Sequence, residues 1–202
     1  MHPTTLQTVL ITGAAGFTGL ALSLNLARQG YRVRGIIRTR EKAAVLQQAG
    51  VTVLTGDIRD PAVTQQALKG VNTVYHLAAV FRRAGVPDSE YQSVHVDATR
   101  QLIEACSANG VSRVVHCSTV GVHGSVPQDA PANEGAPFAP GDIYQVTKLE
   151  GEQVARRTAE RTGVPLGTVK GRVRLALRRL REELGDLDPH LDAELGVEVG
   201  QR

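Results

Sequence analysis

Through residue 161, short apolar runs alternate with stretches whose apolar residues recur every three or four positions. Val9–Ile11, Arg32–Ile37, Val51–Leu54, Thr73–Leu77 and Arg113–Cys117 are predicted as strands. Phe17–Gln29, Glu41–Gln48, Pro61–Leu68, Val94–Asn109 and Ile143–Arg161 are predicted as helices. Gly124–Gly141, rich in Pro, Gly, Ala and Asp, is predicted as a loop. Strands separated by helices imply a parallel sheet covered on both faces, joined by right-handed crossovers. The fold class is therefore α/β, doubly wound, with the strand order 3-2-1-4-5.

The balance of residue types is that of a globular protein: 202 residues, 42% hydrophobic and 21% charged. Aromatic residues make up only 3%, so Val, Leu, Ile and Ala must build the core. A net charge of +3 is too small to imply a nucleic-acid partner for the whole chain. Thr8–Ala27 is uncharged, but Gly13, Gly16 and Gly19 interrupt it and no basic segment precedes it. It reads as strand, turn and helix, and no membrane partner is expected. Cys106 and Cys117 lack zinc-ligand spacing, so free thiols in a reducing cytoplasm are expected.

Three glycines spaced three apart follow the first strand, in Thr12-Gly-Ala-Ala-Gly-Phe-Thr-Gly19. Gly13 suits the tight turn, Gly16 lets backbone approach a pyrophosphate, and Gly19 lets helix and strand pack closely. Ala15 and Phe17 complete the loop, and the helix that starts near Phe17 offers free amides to phosphate. A glycine turn without a ligand is the alternative reading. The second strand ends at Arg38, where a carboxylate would bind the ribose hydroxyls of NAD and a guanidinium suits a 2′-phosphate. NADP is thus favoured, with NAD or a plain surface arginine as alternatives. Asp57 and Ile58 follow the third strand and are placed to touch an adenine, although Asp57 also suits a turn or helix cap. Ala78 and Ala79, after the fourth strand, are small enough to let a cofactor lie against the backbone.

Tyr144 and Lys148, four apart, share a helix face. A phenol of ordinary pKa about 10 is a poor base at neutral pH. A nearby ammonium and a nicotinamide's positive charge would lower it. Thr119 lies just after the fifth strand, at the sheet edge where ligands bind, and its hydroxyl can orient a substrate oxygen. The implied chemistry is hydride transfer at a hydroxyl or carbonyl carbon, with Tyr144 carrying the proton.

With these pieces, His76-Leu-Ala-Ala79, Val94-His-Val-Asp-Ala-Thr99 and Ser118-Thr119 make residues 8 to about 160 resemble the extended short-chain dehydrogenase/reductases, the NAD(P)-dependent epimerase/dehydratase family. The resemblance implies Thr119, Tyr144 and Lys148 as a catalytic set, and a small-molecule substrate such as a sugar nucleotide. The family's C-terminal substrate domain is not matched after about residue 161, so nucleotide binding with weak or no turnover is expected. Two residues depart from the pattern: His95 stands where the family has Asn, and His123 where it has Tyr. No third ligand accompanies them, so no metal is expected.

Between Arg156 and Arg181 nine basic residues face only Glu160. Residues 159–184 resemble the last helix-turn-helix of extracytoplasmic-function sigma factors, with Val169, Val173, Leu177 and Leu180 at helical spacing. That resemblance implies Lys170, Arg172 and Arg174 as candidate DNA-phosphate ligands, and an alternative role as a DNA-binding regulator. A solvated amphipathic helix is the plainer reading. The expected organisation is a nucleotide-binding domain over 1–161, a basic segment over 162–184 and an acidic tail over 185–202. A sheet that stopped at the fifth strand would leave an open edge and favour a homodimer.

Overall fold

The structure is a computed structural model, and it describes residues 7–82, 84–125, 133 and 135–168. Six parallel strands form one sheet: β1 (Thr8–Thr12), β2 (Arg32–Ile37), β3 (Thr52–Thr55), β4 (Thr73–His76), β5 (Arg113–His116) and β6 (Leu166–Thr168). Their order is 3-2-1-4-5-6. The helices are α1 (Phe17–Arg28), α2 (Ala43–Gln48), α3 (Pro61–Leu68), α4 (Asp88–Gln92), α5 (Ala98–Ala108) and α6 (Ile143–Thr162).

Alternation along the strands sends side chains to opposite faces. From β1, Leu10 packs with Leu102 and Ile103 of α5 and Ala155 of α6; its neighbours Val9 and Ile11 pack with Leu26 of α1 and Leu46 of α2. The doubly wound arrangement follows from this near-continuous apolar strand, buried on both sides.

The predicted order gains a strand. Gly163, at φ 70°, ends α6 in the left-handed conformation that glycine adopts readily. The chain then turns back, the carbonyl of Pro165 accepts from Val114 N–H at 3.0 Å, and Leu166, Gly167 and Thr168 pair with Val114, Val115 and His116. The edge of β5 is therefore covered, which corrects the expectation that the sheet stops there. Where the sigma-factor resemblance overlaps the described residues, 159–168, the chain forms the end of α6 and β6. The remainder, including Lys170, Arg172 and Arg174, lies outside the described residues.

A second departure concerns the helix predicted from Val94. Helical structure already begins at Asp88, and a π-helical turn over Ser93–Asp97 joins α4 to α5. Against this turn lies Gly151 of α6. A Cβ there would sit 2.3 Å from the His95 carbonyl oxygen, so only glycine permits the contact.

Candidate active site at the carboxyl edge of the sheet

The glycine loop links β1 to α1, and its three glycines do different work. Gly13 adopts φ 70°, and a Cβ on it would lie 2.9 Å from the Ala78 backbone. At Gly19 a Cβ would meet the Gly13 carbonyl oxygen at 2.1 Å, so this residue closes the helix against the loop. Gly16 is the N-cap of α1, with an extended backbone, no capping side chain and no acidic residue in the first turn. The first amides of α1 thus have no side-chain acceptor, as a helix terminus open to an external anion requires.

Beside this loop is a cleft of about 290 Å³. Gly13, Ala15 and Gly16 form one side of it, Ala78 and Ala79 another, and Arg38, Asp57 and Ile58 the far end. Thr39 also lines it, although no sequence pattern marks it. Phe17 and Gly19 stand apart from the lining: Phe17 is exposed and Gly19 is packed inside the turn. At the far end Asp57 is engaged by Arg59, which reaches it with Nε at 3.0 Å and Nη2 at 2.6 Å and with its backbone N–H at 2.9 Å. These contacts hold the Asp57 carboxyl below its usual range, and Arg38 adds to the effect. Arg59 also ties Asp57 to Glu90 of α4 and to Ser93, the first residue of the π-turn. The turn reading of Asp57 and its cleft position are both realised; the helix cap is Asp60 instead.

Thr119, Tyr144 and Lys148 are brought to the same edge. Lys148 is buried, and its ammonium donates to the Cys117 carbonyl oxygen at the end of β5 at 2.5 Å. Burial lowers its pKa from the ordinary lysine value. Thr119 accepts from Gly121 N–H at 3.2 Å, which leaves its own O–H to donate elsewhere. Burial also raises the Tyr144 phenol above its usual pKa, while Thr119 and Arg82 favour the phenolate. Desolvation thus outweighs these two influences. Arg82 lies 5.3 Å from the Tyr144 ring centroid and pairs with Asp142, the N-cap of α6, at 2.7 Å. Phe81 meets the same ring edge-on at 5.4 Å. Tyr144 therefore adjoins the segment that follows the Ala78–Ala79 wall.

The two departing histidines have structural partners. His95 is buried between the wall and α6, and His123 stacks on Phe138 at 5.3 Å. Among the described residues no group of three His, Cys, Asp or Glu side chains is placed to hold a metal. No described helix is long and apolar enough to cross a membrane.

The sequence profile of the NAD dependent epimerase/dehydratase family matches residues 9–171. The chain belongs to that family. The match runs past Arg161 into β6, in accord with the sixth strand. Among curated members of similar sequence is sterol demethylase protein B of Methylococcus capsulatus, 38% identical over 149 residues, which are 72% of this chain and 45% of that protein. A short-chain dehydrogenase/reductase superfamily protein from Agrobacterium tumefaciens, crystallised with bound NAD, superposes with a TM-score of 0.70 at 32% identity, over 81% of this chain and 48% of its own. The UDP-glucuronic acid 4-epimerase of Bacillus cereus, solved as a tyrosine-to-phenylalanine mutant with a fluorinated UDP-glucuronic acid and NAD, gives 0.72 at 26% identity, over 81% and 56%. The chain spans about half the length of these similar proteins.

Proposed function

We propose that this chain binds NADP and serves in hydride transfer at a hydroxyl or carbonyl carbon, with a sugar nucleotide as the substrate class. The observation that carries the reading is the cleft itself: a glycine cradle that side chains would fill, open helix amides beside it, and a guanidinium at the far end. Gly13, Ala15 and Gly16 would take the pyrophosphate, and Ile58 and Asp57 the adenine. Arg38 would take a 2′-phosphate, a role that Asp57 cannot share because its carboxylate is anionic and bound to Arg59. Ala78 and Ala79 leave room along the wall. The similar proteins solved with NAD support a nicotinamide dinucleotide here, and Arg38 supports the phosphorylated form. The epimerase solved with a UDP sugar supports the substrate class.

When bound, the nicotinamide supplies a carbon that accepts or returns hydride. The chain's residues handle the accompanying proton. Thr119 donates to the substrate oxygen and orients it, and Tyr144 exchanges the proton with that oxygen. The buried Lys148, anchored on the Cys117 carbonyl, places positive charge beneath the site. Oxidation of the substrate needs the phenolate, which burial disfavours, so rates should rise with pH across the alkaline range.

The direct test follows absorbance at 340 nm after mixing the protein, oxidised nucleotide and a UDP sugar. Wild-type protein is expected to reduce nucleotide, and Tyr144→Phe to do so at least about 100-fold more slowly, as loss of a positioned proton carrier entails. Equal rates in the two proteins would remove Tyr144 from the chemistry.

A further inference from the structure

The strongest buried polar structure outside the cleft is a chain of hydrogen bonds whose direction can be read without ambiguity. The Leu77 and Ala78 amides both donate to Thr12 Oγ1 at 3.2 Å, so the Thr12 hydroxyl donates onward to His76 Nδ1 at 2.7 Å. His76 then carries its proton on Nε2 and donates to Thr99 Oγ1 at 2.9 Å, and Thr99 donates to the His95 carbonyl at 2.7 Å. The ring of His95 continues the pattern. Val80 N–H donates to its Nε2 at 3.0 Å, which places the proton on Nδ1. Nδ1 donates to Thr147 Oγ1 at 2.9 Å, and Thr147 donates to the Ile143 carbonyl at 2.7 Å. No donor in this series is left over. Thr12, His76, Thr99, His95 and Thr147 are all buried.

The two nitrogens of His95 therefore hold the two halves of the site. Nε2 holds Val80, directly after the Ala78–Ala79 wall, and Nδ1 holds Thr147, directly before Lys148. We propose that His95 is a positioning residue that fixes the cleft wall relative to the Tyr144/Lys148 face of α6. The role rests on the dinucleotide reading above. A phenyl ring would keep the edge-on packing that His95 makes with Tyr91 and Tyr144 but would release both grips. Val80 N–H would lose its acceptor, and a buried donor without a partner forces the backbone to move. At the adenosine end of the cleft, Asp57 is gripped by Arg59 through bonds that do not involve the His95 ring, and would stay in place.

Calorimetric titration of the whole chain tests this with two probes: NADPH, and adenosine 2′,5′-bisphosphate, which represents only the adenosine end. His95→Phe is expected to weaken NADPH about tenfold and leave the bisphosphate within about twofold of wild type. Thr147→Val, which removes only the α6 grip, is expected to weaken NADPH about threefold with the bisphosphate unchanged, and it carries the test should His95→Phe not fold. NADPH affinity within twofold of wild type in the folded variants would overturn the positioning role. So would equal weakening of both probes, because that marks a general loss of structure. Failure of the wild-type protein to bind either probe would instead overturn the dinucleotide reading on which the role depends.

Discussion

At the scale of single residues, the account turns on which side chains face the cleft. Arg38 lines it while the Asp57 carboxylate is engaged by Arg59, so the far end presents a guanidinium to the cleft. Arg38→Ala is expected to raise the Kd for NADPH about tenfold, the cost of one charge-assisted contact, and to leave NADH within about twofold. Equal effects on the two nucleotides would show that the guanidinium does not read the 2′-phosphate. The glycines, Arg38 and the Tyr144/Lys148 pair were legible in the sequence because local spacing determines where they fall. Thr12, His76, Thr147 and Arg82 were not. The bonds Thr12–His76, His95–Thr147 and Arg82–Asp142 span 64, 52 and 60 positions, and no local pattern marks a hydrogen bond across such a separation. The titration of Tyr144 was also illegible, because burial, its largest influence, is a property of the folded surroundings.

At the scale of elements, α6 matters most, since it carries Tyr144, Thr147 and Lys148 and crosses the π-turn at Gly151. There a methyl group would overlap the His95 backbone, with no flexible side chain to yield. Gly151→Ala is expected to lower unfolding stability in urea by about 2 kcal/mol, the range found for overpacking. A loss below about 0.5 kcal/mol would mean that helix and π-turn can separate freely. The order of the first five strands followed from hydrophobic alternation. The start of the helix at Asp88 did not, because Asp88–Gln92 is mostly polar and the π-turn breaks the 3.6-residue period. β6 escaped notice for a related reason: three residues, one of them glycine, give too little pattern, and their pairing with β5 is what makes them a strand.

At the scale of the whole molecule, three buried histidines lie beneath the site and set its response to acid. Burial is the main cause that lowers His76 to about 3 and His95 to about 4 from an ordinary 6.5, and it pushes His116 down as well. Folded protein keeps these rings neutral while unfolded protein protonates them below pH 6.5, so the unfolded state binds more protons. Stability should therefore hold steady above about pH 6.5 and fall between about pH 6.5 and 4, by up to about 1.4 kcal/mol per pH unit for each histidine. Urea unfolding at about pH 7.5, 5.5 and 4.5 measures this, and a flat profile would contradict the neutral hydrogen-bond chain.

The central claim, that the glycine cradle is a dinucleotide site, meets its most direct test in a titration followed by nicotinamide fluorescence, which no tryptophan obscures. Wild-type protein is compared with Gly16→Leu, because Gly16 has φ −71°, which any residue can adopt, lines the cleft, and would bring a Cβ no nearer than 3.2 Å, to the Gly13 carbonyl oxygen. Saturable enhancement of NADPH emission in the wild type, abolished by Gly16→Leu with the unfolding midpoint unchanged, is the predicted result. Absence of saturable binding to both NADPH and NADH, or binding that survives the blocked cradle, would contradict the account.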